Sequence, residues 1–262
     1  MNVKILLKAL MQFIIVLLFS ALFSCKSHEI KVCNYRILVV LAHPDDETLI
    51  SGTLAKLMAQ GSEVVVVFAT SGDDGPDMTG RGLYGEALAR VRENEAQESL
   101  IRIGITKPPL FLKIPDSYVS EHKTELSDRI TEIIREYHPG MVITFGPDGV
   151  TGDPDHITTG RITDQIFDSC NSGKLLLHVA MSVQASHIYP IPAPVANQLI
   201  DMRINVSGYK RIRIRCNKAH RTQFGFGSRL FWKIYVHRFP YEEFIIHRYS
   251  DSDQMLQECF GE

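Results

Sequence analysis

The chain has 262 residues, is 45% hydrophobic and 22% charged, and carries a formal net charge of -2. These values exclude a collagen-like or wholly disordered chain, and the length suits one large α/β domain or two small ones. No basic excess is available to neutralise phosphates, so no nucleic-acid partner is expected. Five cysteines without a C-x-x-C pair argue against a zinc ribbon or a thioredoxin-like redox site.

Residues 1–24 depart from that average. Lys4 and Lys8 mark a short basic start, and an apolar stretch follows from Ala9 to Phe23, broken only by Gln12 and Ser20. It is short for a membrane span and matches the apolar region of a secretory signal. An uncleaved anchor or a buried helix is the other reading. The stretch closes on Leu22-Phe23-Ser24-Cys25, which resembles a bacterial lipobox. That resemblance implies lipidation of Cys25 and an exported domain, lipid-anchored in the bacterial cell envelope, with a tether over 25–34 and the folded domain over 35–262. A disulfide among Cys33, Cys170, Cys216 and Cys259 is then permitted, though their spacing predicts none.

Past the tether, Arg36 to Ala42 reads as a buried strand through Ile37-Leu38-Val39-Val40-Leu41, and a helical stripe follows through Leu49, Leu54, Leu57 and Met58. Glu63 to Ala69 is a second buried strand. The Gly/Asp-rich loop Thr70 to Gly82 is long enough to line a site. Tyr84 to Ile103 predicts a long helix, Leu110 to Leu112 a short strand, and Glu121 to Tyr137 another helix. Met141 to Phe145 is a further buried strand, followed by the loop Gly146 to Pro154 and a helix from about Asp155 to Phe167. Continuously apolar strands alternating with amphipathic helices predict a parallel sheet covered on both faces. Right-handed crossovers gather the strands' C-terminal ends at one edge, where ligands of such folds bind.

Two loops leave buried strands at that edge. The first reads Ala42-His43-Pro44-Asp45-Asp46-Glu47, and grouping an imidazole with adjacent carboxylates there is costly without a partner. A divalent cation resolves the cost if His43 and Asp46 ligate it and Asp45 points to a reacting water. The second loop, Gly149-Val150-Thr151-Gly152-Asp153-Pro154-Asp155-His156, supplies His156. Two imidazoles, a carboxylate and an open position are the usual ligand set of a hydrolytic zinc centre, although iron or cobalt also suit it. Helix capping and turn formation are the plainer reading of the same acids.

A-H-P-D-D-E after the first strand and G-x-x-G-x-P-D-H after a later one resemble the LmbE-like/PIG-L family of metal-dependent de-N-acetylases. Arg92-Glu93-Asn94-Glu95, Ile114-Pro115-Asp116 and Lys218-Ala219-His220-Arg221-Thr222-Gln223 are similar to further segments of that family. The resemblance implies an α/β, Rossmann-like three-layer sandwich with a mostly parallel sheet and the metal site at the C-terminal edge of the strands. It implies zinc held by His43, Asp46 and His156, with Asp45 as general base and Arg92 and Asp116 touching sugar hydroxyls. Arg92 also reads as an exposed ion pair with Glu95. Many relatives carry histidine where this chain has Asp153, so either Asp153 acts in modified form or another group, such as His187, replaces it.

The expected substrate is an N-acetylated sugar or glycoconjugate in the envelope. A related amidase acting on another N-acyl bond, or a glycan-binding lipoprotein without competent catalysis, are the alternatives. Lys210, Arg211, Arg213, Arg215, Lys218 and Arg221 read as a solvated helix face, or as a contact to anionic lipid beside the anchor. The Gly72-to-Gly75 loop lacks a G-K-[ST] ending and the first strand lacks G-x-G-x-x-G, so no nucleotide site is expected.

Overall fold

The computed structural model describes residues 33–170, 175–249 and 253–261. The expected signal peptide over 1–24 and the lipidated Cys25 lie outside them.

The first strand, β1 (Arg36–Leu41), is buried beyond its first residue, and its side chains alternate between two cores. Ile37, Val39 and Leu41 pack with Leu54, Leu57, Ala96 and Leu100 on one face of the sheet. Leu38 and Val40 pack with Leu126, Ile130, Ile134, Ile162 and Ile166 on the other. This two-sided burial is why the strand is apolar without a period of two. The remaining parallel strands are β2 (Glu63–Thr70), β3 (Leu110–Ile114), β4 (Met141–Phe145) and β5 (Leu175–Ala180). The connecting helices are α1 (Ser51–Ala59), α2 (Gly85–Ile103), α3 (Lys123–Tyr137) and α4 (Pro154–Cys170). Helices α1 and α2 cover the first face, and α3 and α4 the second.

After β5 the chain forms the short α5 (Val183–Ser186), β6 (Met202–Asn205), α6 (Lys210–Ala219), α7 (Phe226–Arg238), β7 (Tyr241–Tyr249) and α8 (Asp253–Cys259). The sheet order is β3-β2-β1-β4-β5-β7-β6. Strands β6 and β7 pair antiparallel to each other, and β7 antiparallel to β5. Because β1 lies between β2 and β4, the chain leaves it to one side and returns on the other. The loops after β1 and β4 therefore diverge and leave a crevice at the strands' C-terminal ends. Helix α4 lies close over β4 there, since a Cβ on Gly160 would sit 2.3 Å from the Phe145 carbonyl oxygen.

Strand β7 carries Glu242 and Glu243, both buried. Glu242 accepts the Gly52 and Thr53 amides at 2.9 and 2.6 Å, so it supplies negative charge at the N-terminus of α1. Arg213, fully buried, pairs with it at 3.0 Å, which corrects the expectation that all the basic residues of α6 are solvated. Glu243 accepts the Ser182 amide and hydroxyl and the Arg203 Nε.

Cys33 and Cys259 form a disulfide across 226 residues of sequence, tying the segment ahead of β1 to α8. Closing so long a loop restricts the unfolded chain. We expect Cys33→Ser, or full reduction, to lower the unfolding free energy by about 2–4 kcal/mol, read by denaturant titration with and without reductant.

Candidate active site

The A-H-P-D-D-E turn is bent sharply. Asp45 has φ 130°, in the region that favours glycine, and it opens the 3-10 turn Asp46–Ile50 without its side chain capping it. Backbone strain of this kind costs about 1–3 kcal/mol and persists only where surrounding contacts impose it. Here the Asp45 amide donates to Glu47 Oε2 at 3.1 Å, and Gln223 Nε2 donates to the Pro44 carbonyl. The result is a half-buried carboxylate that no cap consumes.

His43 and His156 are each oriented from behind. His156 directs Nδ1 at the Gly149 carbonyl, 2.9 Å away, and its ring stacks on Phe145 at 4.1 Å with 4° between planes. That contact spends the Nδ1 proton and leaves Nε2 as a lone-pair donor. His43 directs Nε2 at Asp116 Oδ1, 3.0 Å away, and Asp155 Oδ2 lies 3.5 Å from the same nitrogen. Asp155 is itself fixed by the Ser117 and Val119 amides. The inward nitrogens, His43 Nδ1 and His156 Nε2, then face each other at 3.0 Å. Asp46 Oδ1 is 3.2 Å from His156 Nε2, and Asp46 Oδ2 is 3.8 Å from His43 Nδ1. Asp153 also offers a carboxylate oxygen within 4.8 Å of both imidazoles.

Two lone pairs aimed at one point, with carboxylates beside them, form a donor set that a divalent cation fits. The local charge agrees. Burial disfavours the charged imidazoles, yet Asp116 and Asp155 raise the pKa of His43 well above its ordinary value, and Asp46 raises that of His156. Burial likewise opposes ionisation of Asp46, but His156 and His43 outweigh it and hold Asp46 low. Desolvation, followed by the charge on Asp46, pushes Asp45 up to about 7.

His43, Asp45, Asp46, Arg92, Asp116, Asp153 and His156 all line one cavity of about 410 Å³ at the C-terminal edge of the sheet. The structure thus gathers all seven of the proposed catalytic, metal-binding and substrate-binding residues, and it adds partners for three of them. Arg92 is buried rather than paired outside the helix with Glu95. Its guanidinium donates to the Gly72 and Pro76 carbonyls at 2.7 and 3.0 Å and so holds the 70–82 loop against the site. Asp116 accepts the Asp74 amide with the oxygen that does not face His43. Asp153 caps α4, its Oδ1 accepting the Asp155 and His156 amides. His187, the candidate replacement for the missing histidine, is exposed and outside the cavity lining.

The cavity also has an apolar wall formed by Leu49, Tyr189, Ile191, Phe224 and Trp232, of which the sole tryptophan of the chain is the one sequence signal. The local sequence around His220 does not set its role. His220 and Glu47 are both fully buried and paired at 2.6 Å. The second ring nitrogen meets Gln223 Oε1 at 3.0 Å. Glu47 raises the His220 pKa against the opposing effect of burial. The adjacent Thr222 donates both its amide and its hydroxyl to buried Glu95. The segment 218–223 therefore ties the 43–47 turn and α2 together.

A mostly parallel three-layer α/β sheet with two imidazoles and a carboxylate converging at its C-terminal edge presents a candidate metal site where ligands of such folds bind. The family whose sequence profile is described as PIG-L, GlcNAc-PI de-N-acetylase, matches residues 38–167. A 1D-myo-inositol 2-acetamido-2-deoxy-alpha-D-glucopyranoside deacetylase of Saccharopolyspora erythraea is 32% identical over 235 residues, covering 72% of this chain and 77% of the relative. A deacetylase of the same description from Saccharomonospora viridis is 26% identical over 235 residues, covering 74% and 87%. The chain belongs to the PIG-L family of de-N-acetylases. Among solved structures, the N,N'-diacetylchitobiose deacetylase of Pyrococcus horikoshii shares the fold with TM-score 0.63, 22% identity and coverage of 81% and 83%. The 4-carboxy-2-hydroxymuconate hydratase of Pseudomonas putida shares it with TM-score 0.64, 15% identity and coverage of 82% and 97%, so the scaffold also serves other chemistry.

Removing the cation side of a buried pair strands the anion. His220→Ala should cost about 3–5 kcal/mol of stability and loosen the turn that presents Asp45. The double variant Glu47→Gln/His220→Ala should regain part of that stability, as read by chemical denaturation.

Proposed function

We propose that the protein is a zinc-dependent de-N-acetylase acting on an N-acetylated sugar or glycoconjugate, yielding acetate and a free amine. The observation that carries this reading is the pair of facing imidazole nitrogens at 3.0 Å, with Asp46 beside them and Asp45 uncommitted in the same cavity. His43, Asp46 and His156 would hold the cation, and Asp153 stands close enough to share it or to steady the departing amine. When bound, a divalent cation supplies Lewis acidity to the acetyl carbonyl.

The remaining work falls to side chains. Asp45 takes a proton from the attacking water and passes it to the leaving nitrogen. A carboxylate poised near neutrality can do both, because neither protonation state is strongly disfavoured. Arg92 and Asp116 border the sugar hydroxyls while bracing the loop and His43. Tyr189, Phe224 and Trp232 offer aromatic surface to the apolar face of a pyranose ring. The cavity lies within the range of small-ligand sites, about 300–1,000 Å³.

The named activities of the two sequence relatives and of the chitobiose deacetylase, each on an acetamido sugar, support the substrate class. Export with a lipid anchor at Cys25 and action on envelope glycans complete the proposal. The Cys33–Cys259 disulfide supports an oxidising compartment. Because the Asp153 Oδ1 is engaged at the helix cap, a glycan-binding protein without turnover is the second reading.

Acetate release from a panel of N-acetylhexosamine glycans, with and without chelator, tests the proposal. We expect release that chelation abolishes and zinc restores. Sugar binding with no acetate at any metal loading would favour the second reading. Asp45→Asn should cut kcat by about 10²–10⁴-fold with zinc content unchanged. Asp45 must be ionised to accept the proton, so kcat/KM should rise with pH. The midpoint should be at or below about 7, because a bound cation lowers the pKa of this carboxylate. Asp45→Asn should lack that rising limb.

A further inference from the structure

Away from the cavity, a second set of ligand-type side chains meets on the face of the sheet covered by α4. His178 of β5 is buried, and its Nε2 lies 2.8 Å from Asp164 Oδ1 on that helix. A register shift between Leu176 and Leu177 leaves His247 as the extra residue of β7. Bulges of this kind re-aim a side chain, and the His247 ring lies over His178, with centroids 4.7 Å apart and 31° between planes. Asp164, His178 and His247 each offer a ligand atom within 4.8 Å of the others. Asp168, one helical turn beyond Asp164, is 3.7 Å from His247 Nε2. Burial raises the pKa of Asp148 against the opposing charge of His178, and its buried Oδ2 has no hydrogen-bond partner.

We propose that Asp164, His178 and His247 form a second divalent transition-metal site, with Asp168 closing it from the solvent side. Two imidazoles and a carboxylate whose ligand atoms lie within 4.8 Å of one another, with Asp168 Oδ2 3.7 Å from His247 Nε2, are a donor set that a shared cation fits. Mixed nitrogen and oxygen donors select zinc, cobalt or nickel over magnesium or calcium.

The site is separate from the catalytic centre. Asp164 follows His156 by eight residues, about 12 Å along the α4 axis. Asp148 lies in the same loop as Gly149 and directly precedes it, and the Gly149 carbonyl accepts from the His156 ring. An ion here would brace the outer end of the helix and loop that present one catalytic imidazole.

The test is a metal count. The full chain, with its disulfide intact, is stripped with chelator, dialysed against zinc and analysed by elemental mass spectrometry. We expect two zinc ions per chain, one in His247→Ala and one in His156→Ala. Asp168→Asn, at an exposed position, should weaken the second zinc site at least several-fold. His247→Ala should retain deacetylation. One ion in the unaltered chain, kept by His247→Ala and lost by His156→Ala, overturns the second site and leaves the catalytic reading standing. One ion kept by His156→Ala and lost by His247→Ala supports the second site and defeats the catalytic centre instead. Two ions persisting in His247→Ala place the extra zinc elsewhere and overturn the proposal.

Discussion

Two imidazole nitrogens pointed at one another across 3.0 Å, with Asp46 beside them, constrain most of what surrounds the site. Such an arrangement repels itself unless a cation or a proton sits between the lone pairs, so each ring must be held by something behind it. The Gly149 carbonyl and the face of Phe145 hold His156. Asp116 and Asp155 hold His43, and Asp155 is pinned by the backbone of the segment after β3. The geometry of the candidate metal site therefore draws on β1, β3, β4 and α4 at once.

The excess of carboxylates is managed by distributing cations around it. His220 neutralises Glu47, Arg92 faces the cavity from α2, and Arg213 meets Glu242 at the start of α1. Removing one partner from any buried pair exposes an uncompensated charge, which costs more than the pair itself contributes. Asp45 is the exception. Its backbone is strained and its side chain is left out of the capping interactions.

The parallel half of the molecule was legible in the sequence. Apolar runs at Ile37–Leu41 and Met141–Phe145 could be read because burial on both faces removes polar residues from a strand. The loops after them could be placed at one edge because crossover handedness is fixed. The antiparallel half was not legible. Glu242 and Glu243 interrupt β7 with charges that resemble a solvated loop, and they are tolerated only because Gly52, Thr53, Arg213, Ser182 and Arg203 arrive from distant sequence. The Cys33–Cys259 bond escaped for a similar reason, since cysteine spacing carries no pairing information over such a distance.

Sequence alone determined the elements and the chemical inventory: which strands are buried, which loop carries His43, Asp45 and Asp46, and which carries Asp153 and His156. Local periodicity and residue chemistry suffice for that. Tertiary structure alone decided what each group is bound to. It made Arg92 a buried clamp on the 70–82 loop, Asp116 the support of His43, Asp153 a helix cap and His220 the counter-ion of Glu47. Those partners lie many residues apart, and the free energy of a buried charge depends on which opposite charge or dipole the folded chain brings within hydrogen-bonding distance.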